Sequence, residues 1–562
     1  MNKALPIGYE DFRKILNKNL YYVDKTEMIK ELLDDRGEVN LITRPRRFGK
    51  TLNLSMLRRF FEIEIAEDGS VVSNSYLFEN LKIASCGEAY MIHQGKYPII
   101  SLSLKSAKQP NFEMAYEVLL NQIISEYKRH YYLIKNEDMF EVDRRRYMDI
   151  VNRKGSASDY ATALAFLSEC LAKYHKKNVI VLIDEYDVPL ENAYFEGFYD
   201  EMIGFIRSLF ESVLKTNPYL EFAVITGCLR ISKESIFTGL NNLKIHSIKR
   251  MTYDDCFGFT EEEVKEMLAY YDLSDKFGEV QKWYDGYLFG NKEIYNPWSI
   301  INYVDSARLN RNAFPEAYWS NTSSNSIIKE LIENADRNTK KEIEDLIAGD
   351  CIEKPVHEEI TYADIHASQD NLWNFLYFTG YLRKCGERQE GRNKLLEMKI
   401  PNEEITFVFE QTVLNWFESK IQDADITSLI TAFESGECEN IEQIISTNLM
   451  DTISFYDYAE NFYHGFLTGL LKSSNKYEIL SNRESGLGRS DILMKEYAFR
   501  GKAILLELKV AHTFAEMEGL CEKALQQIEA KQYETALRAE GCREVHKYGV
   551  CFYKKGCMVA GK

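Results

Sequence analysis

The sequence predicts an α/β protein: a parallel sheet in its N-terminal part, a mainly helical middle, and a second, smaller α/β domain at its C-terminal end. Three observations predict this. Between about residues 36 and 230, continuous apolar β-type runs alternate with amphipathic helical stretches, the pattern of a sheet covered on both faces. From about 250 to 450 helical periodicity dominates, as in "FTEEEVKEMLAYY" and "ITSLITAFES". After about 451 the order becomes helix, strand, strand, helix. The expected boundaries are 1–250, 251–450 and 451–562. Length agrees, since 562 residues exceed what one core can organise.

"VNLIT" (39–43) reads as the first strand, followed by a helix through "TLNLSMLRRFF". "YPIISLSL" (97–104) is the second, "VIVLIDEYD" (179–187) the third and "LEFAVITG" (220–227) the fourth, each separated by helical periodicity. Downstream, "FYDYAENFYHGFLTGLL" is a helix, "SDILM" and "AILLELKV" are strands, and "EGLCEKALQQIEAKQYETAL" is a long helix. "NLWNFLYFTGYL" (371–382) reads as a buried helix and turn, and residues 305–450 suggest no chemistry.

Composition is ordinary, 45% hydrophobic and 28% charged, but the formal net charge is −18. A protein that coats nucleic acid by bulk electrostatics would be basic, so any such binding must use local patches. There is no signal-peptide core and no run of about eighteen apolar residues. The eleven cysteines form no CxxC pairs, which points to reduced thiols. A cytoplasmic protein without membrane partner is the expectation.

The fragment "FGKT" follows a strand and opens a helix, where backbone N–H groups and the helix dipole hold phosphates. Gly49 permits close approach, Lys50 can reach the terminal phosphates and Thr51 can ligate Mg²⁺. "VIVLIDEYD" ends its strand in two carboxylates. Asp184 is placed for the Mg²⁺ shell and Glu185 for polarising a water against the γ-phosphate. The fourth strand ends in "TGCLR", where Thr226 or Arg230 could sense the γ-phosphate.

Together with "LPIGYEDFRKILNKNLYYVDKTEMIKELL" and "TGCLRISKESIFTGLNNL", the stretch "LITRPRRFGKTLNLSMLRRFF" resembles the AAA-ATPase-like proteins. The resemblance covers the N-terminal half and implies a P-loop NTPase core of the additional-strand class, with ATP as ligand. A full phosphate loop has glycine six residues before its lysine, where positive φ costs little. Here that residue is Arg44, followed by Pro45, which has no N–H. The phosphate nest is therefore expected to shrink to the amides of Arg47, Phe48, Gly49, Lys50 and Thr51, with side-chain charge from Arg46 or Arg47 and slow turnover. The aromatic-rich "VQKWYDGYLFGNKEIYNPWSIINYV" (280–304) fits a helical lid. Its Tyr284-Asp285-Gly286-Tyr287 either lies near the nucleotide or core–lid joint or packs around a glycine turn.

Metal-dependent phosphodiester cleavage needs converging carboxylates and a group that positions water. In "AILLELKV", strand periodicity puts Glu507 and Lys509 on one face. A hairpin with "GLGRSDILM" would bring Asp491, sixteen residues upstream, beside Glu507. A surface ion pair also explains an isolated Glu-x-Lys. The spacing resembles the PD-(D/E)xK nuclease superfamily, with Ser490 in place of its proline, and implies a restriction-endonuclease-like fold. By that resemblance Asp491 and Glu507 would ligate Mg²⁺ and Lys509 would orient the water, supported by Glu460 and Gln527 from flanking helices. Arg483, Arg489, Lys502 and Lys509 could meet phosphates. "RRR" at 144–146 is a solvated helix face or a further patch.

The expected activity is an ATPase coupled to a Mg²⁺-dependent nuclease with DNA or RNA as partner, and a homo-oligomer stays open. The alternative is a nucleotide-dependent switch or scaffold whose nuclease-like domain is inactive.

Overall fold

The computed structural model describes residues 2–229, 236–237, 240–319, 328, 337–356, 368–391, 393–422, 426–450, 460–472, 474, 476–485, 488–497, 501–531, 533–539 and 541–562; residues 413–422, 460–462, 481–485 and 488–490 are described by backbone alone. The chain divides into two compact units, Met1–Ser323 with Glu353–Ile405, and Ser324–Ile352 with Thr406–Lys562.

The first unit is built on a five-stranded sheet in the order Ile99–Ser103, Val179–Asp184, Leu220–Gly227, Val39–Thr43, Leu243–His246, every pair parallel. The Val39 and Val179 strands are buried along their whole length, in keeping with their largely apolar runs. The Leu220 strand lies between the strand that enters the phosphate loop and the one that ends in Asp184. That intervening strand is the additional-strand arrangement expected from the resemblance. The edge strand Leu243–His246 went unrecognised because it is short and half exposed, "LKIH", with no apolar run.

Helix Lys50–Phe61 leaves the loop and buries Leu54, Met56, Leu57, Phe60 and Phe61 against the sheet. Arg144 and Arg146, on helix Glu141–Val151, are paired with Glu141 and Asp159, the solvated-face outcome. Helices Glu261–Tyr270, Phe277–Tyr284 and Pro297–Leu309 share a core of Val264, Leu268, Val280, Tyr284, Tyr295, Ile300 and Tyr303. Gly286 has φ +101°, and a Cβ there would fall 2.2 Å from the Pro401 carbonyl, so the turn after Tyr284-Asp285 demands glycine.

The middle is mainly helical, but Ile352–Pro355, Asn393–Lys399 and Arg383–Glu390 form a three-stranded sheet that the sequence did not announce. The Arg383 strand is mostly exposed and reads "RKCGERQE", without alternation. The expectation of fully reduced thiols also needs correction: Cys351 and Cys385 are disulfide-bonded, and the other nine cysteines are free.

Buried Glu404 opens helix Glu403–Gln422, accepts both hydrogen-bond contacts of the Ser299 hydroxyl (2.9 and 2.8 Å) and accepts the Trp319 N–H (2.8 Å). Burial pushes its pKa from near 4.5 up to about 7. A carboxyl whose folded value is raised loses stability as pH climbs from its unfolded value through its folded one. The first unit is therefore expected to weaken between pH 4.5 and pH 7, and Glu404→Gln to gain about 3 kcal/mol at pH 8 while matching wild type at pH 4. Thermal midpoints at the two pH values test this; equal midpoints at pH 8 contradict it.

The second unit carries a five-stranded sheet in sequence order: Tyr477–Ser485, Gly488–Glu496, Lys502–Val510, Glu544–Tyr553, Gly556–Gly561. All pairs are antiparallel except Lys502–Val510 with Glu544–Tyr553. A parallel pair needs a crossover, supplied by helices Met517–Ala530 and Tyr533–Ala539. The expected helix–strand–strand–helix order is present, and the first strand and the last two are additions to it. Among the described residues no helix is long and apolar enough to cross a membrane.

Candidate functional sites

The first site gathers at the carboxyl ends of the parallel strands. Gly49, at φ +85°, caps helix Lys50–Phe61, and Arg47 and Glu185 are likewise left-handed at φ +69° and +51°. Both residues, at the ends of the loop-entering and Asp184 strands, hold the sparsely populated left-handed conformation. The Thr51 hydroxyl donates to Asp184 Oδ2 (2.7 Å), and the Thr226 hydroxyl donates to Asp184 Oδ1 (2.6 Å). The sequence-designated Mg²⁺ ligands thus meet, with Thr226 orienting the carboxylate.

Lys50 is buried and donates to the carbonyls of Arg44 (2.9 Å) and Pro45 (2.8 Å), with Cys228 Sγ 3.5 Å away. Burial raises the Glu185 carboxyl, as do Asp184 and Asp187, against the opposing charges of Lys50 and Lys105. Asp187 Oδ2 fixes the neighbouring loop by accepting from the N–H groups of Cys228 (2.7 Å) and Leu229 (3.1 Å). Arg230 lies outside the described residues.

The basic run before the glycine divides its labour. Arg44 is fully buried between the rings of Phe257 (5.4 Å) and Phe289 (5.1 Å). Its guanidinium donates to the carbonyls of Thr43 (2.9 Å), His246 (2.7 Å) and Tyr253 (2.9 Å). It ties the loop strand to the edge strand and the segment after it, which answers why an arginine stands where glycine is usual. Arg46 is ion-paired with Glu191, and Arg47 lies 4.5 Å over the Trp298 ring. Phe48 packs on Tyr287 (4.9 Å) and Phe289 (5.2 Å), so only its backbone can face a phosphate, and Tyr287 belongs to the joint between the loop and residues 287–304. Beside Gly49 and Leu52 lies an apolar cavity of about 80 Å³, lined also by Tyr21, Tyr22, Phe259 and Pro297.

The second site lies on the C-terminal sheet. Ile492 pairs with Leu506 and Leu493 with Leu505, so the next pair places Asp491 opposite Glu507 on one face, with Lys509 two residues further along it. The Leu508 N–H donates to Asp491 Oδ2 (2.8 Å). Glu507 is 1% exposed; its Oε1 accepts from the Gln527 side-chain amide and lies 3.5 Å from the Lys509 ammonium. Among the described residues its buried Oε2 has no hydrogen-bond partner. Burial pushes the Glu507 pKa up to about 7, reinforced by the Asp491 charge and opposed by Lys509 and Lys531.

An orphaned buried carboxylate oxygen beside a second carboxylate is a donor set short of positive charge, and a hard divalent cation suits it. Gly549 stands opposite Glu507 in the parallel register, and a Cβ there would lie 2.2 Å from the Cys521 carbonyl. This close approach seats helix Met517–Ala530 so that Gln527 reaches Glu507. Glu460 opens helix Glu460–Lys472, its side chain lying outside the described residues. Two neighbours had escaped notice. His464, one turn after Glu460, contacts the Asp491 carbonyl through Nε2 (2.9 Å), a spacing visible in the sequence. Tyr533 is fully buried and pushed up to about 12 by burial, Glu507 and Asp491; no sequence signal distinguished it from an ordinary core tyrosine.

Comparison with known proteins covers both regions. The chain is 23% identical over 581 residues to the "Uncharacterized protein in vnfD 5'region" of Azotobacter chroococcum mcd 1, an alignment covering 100% of this chain and 98% of that one. Residues 6–237 match the family model "Predicted AAA-ATPase". Residues 458–562 match that of the PD-(D/E)XK nuclease superfamily. By these two matches the chain carries an AAA-ATPase-like domain followed by a C-terminal PD-(D/E)XK nuclease-superfamily domain.

Proposed function

We propose that the protein binds ATP, hydrolyses it slowly, and uses the nucleotide state to control a divalent-metal-dependent nuclease acting on DNA or RNA. The observation that supports the nuclease reading is the buried Glu507 Oε2, without a hydrogen-bond partner among the described residues, on the same face as Asp491 and Lys509. In this reading Asp491 and Glu507 hold Mg²⁺, Lys509 orients the attacking water, and Gln527 fixes the rotamer of Glu507. A bound divalent ion supplies positive charge to the phosphate and acidity to water.

In the first site Thr51 and Asp184 hold the Mg²⁺ of the nucleotide, Lys50 reaches its terminal phosphates, and Glu185 polarises water. The apolar cavity beside Gly49 supports a place for the base. Slow turnover follows from a loop whose first glycine is replaced and whose lysine is already satisfied by two carbonyls.

The same occupied lysine favours a second reading, a nucleotide-dependent switch whose nuclease-like domain is a scaffold. Two variants of the full chain separate the readings. Asp491→Ala is expected to abolish Mg²⁺- or Mn²⁺-dependent cleavage of oligonucleotides, and Lys50→Ala to weaken ATP binding at least tenfold by calorimetry. Cleavage by wild type that Asp491→Ala leaves untouched refutes the nuclease assignment. Unchanged ATP affinity in Lys50→Ala refutes the nucleotide site.

A further inference from the structure

We infer that Lys531 is a phosphate-binding residue of the second site, holding the backbone of a nucleic-acid strand against the face that carries Asp491 and Glu507. The inference deepens the nuclease reading and rests on it for the identity of the strand.

Helix Met517–Ala530 lies on that face, seated there by Gly549, and delivers the Gln527 amide to Glu507. Lys531 caps this helix one turn beyond Gln527, and its N–H donates to the Gln527 carbonyl (3.2 Å). Residues four apart leave a helix on the same side, so Lys531 leaves on the side from which Gln527 reaches Glu507. Its ammonium lies 6.0 Å from the ring centroid of Tyr533. Tyr533 is itself buried in a cluster with Leu493 and Leu505, the residues in line with Asp491 and Glu507 on their strands. The helix that carries Gln527, the Tyr533 ring and the cluster beneath it thus set this cation on the side of the carboxylates.

Charge explains its use. Among the described residues Lys531 has no ion pair, whereas Lys502, Lys547 and Lys562 are each matched to glutamates of the same unit. The two carboxylates balance one divalent ion, which leaves the ammoniums of Lys509 and Lys531 in excess on that face. Lys509 is committed to Glu507 at 3.5 Å. Lys531 is left for an anion from outside, and a phosphodiester presents one at each nucleotide. In an acidic chain this is the local cation such binding needs.

The test uses the full-length protein and fluorescein-labelled single- and double-stranded DNA and RNA. Binding is read by anisotropy in Ca²⁺ and cleavage in Mg²⁺. Lys531→Ala is expected to raise Kd and KM about fivefold or more and to change kcat less. The slope of log Kd against log salt should shrink by roughly 0.7 to 0.9, the release of about one counterion. Lys531→Arg should restore both. Unchanged Kd and salt slope in Lys531→Ala overturn the assignment, as does failure of every oligonucleotide to bind wild type or a loss confined to kcat. Salt-sensitive, Lys531-dependent binding without any cleavage by wild type instead removes the nuclease reading and keeps the phosphate site.

Discussion

Arg44→Gly, which restores the usual first letter of the phosphate loop, is expected to unfold the first unit rather than improve nucleotide binding. The Arg44 guanidinium donates to three main-chain carbonyls belonging to the loop strand, the edge strand and the turn after it. Hydrogen bonds from a charged donor contribute about 1.5–3 kcal/mol each, and buried acceptors left unmade carry their desolvation cost. Removing the side chain also empties the space between Phe257 and Phe289. Non-additivity keeps the sum below a simple total, but a loss of about 4 kcal/mol or more is expected, comparable to the whole stability of many domains. Arg44→Lys should recover little, because one ammonium cannot span three diverging carbonyls. Thermal unfolding and ATP titration check this; an Arg44→Gly protein with the wild-type midpoint and tighter ATP binding would falsify the structural role.

Glu507→Gln should leave the second unit folded and remove its chemistry. The substitution keeps the shape and an acceptor for Gln527, but it deletes the buried charge that faces Asp491. Without that charge the site cannot hold a divalent ion, whose transition-state stabilisation is several kcal/mol, on the order of 10³-fold in rate. Cleavage should therefore fall by about that factor in any of the divalent metals, and Mg²⁺ or Mn²⁺ titration should show lost affinity. The far-ultraviolet spectrum should match wild type. Retained cleavage within tenfold of wild type would remove Glu507 from the reaction.

What the sequence makes legible follows from which forces act locally. The Val39 and Val179 strands could be read because a doubly covered strand must be largely apolar. Asp491 and Glu507 could be paired because strand periodicity and a hairpin leave few registers. Arg44 was opaque for the opposite reason: a run of basic residues looks like surface, and only the fold shows that carbonyls and aromatic rings solvate this one. Leu243–His246 takes its strand identity from the neighbour it pairs with, since its own residues are mixed. Tyr533 and Lys531 join the second site through a crossover whose course is set by the parallel pairing of two strands far apart in the chain.

The posture of Lys50 has a consequence for selectivity. With its ammonium already seated on two carbonyls of its own loop, the protein carries an internal competitor for every anion that enters. A lone phosphate or sulfate gains only the difference between two satisfied states. In the proposed nucleotide site, a ligand bearing several linked phosphates, a cation and a flat apolar ring would recruit the remainder of the cleft at once, so the resting loop would filter out small anions by making single-point attachment unprofitable.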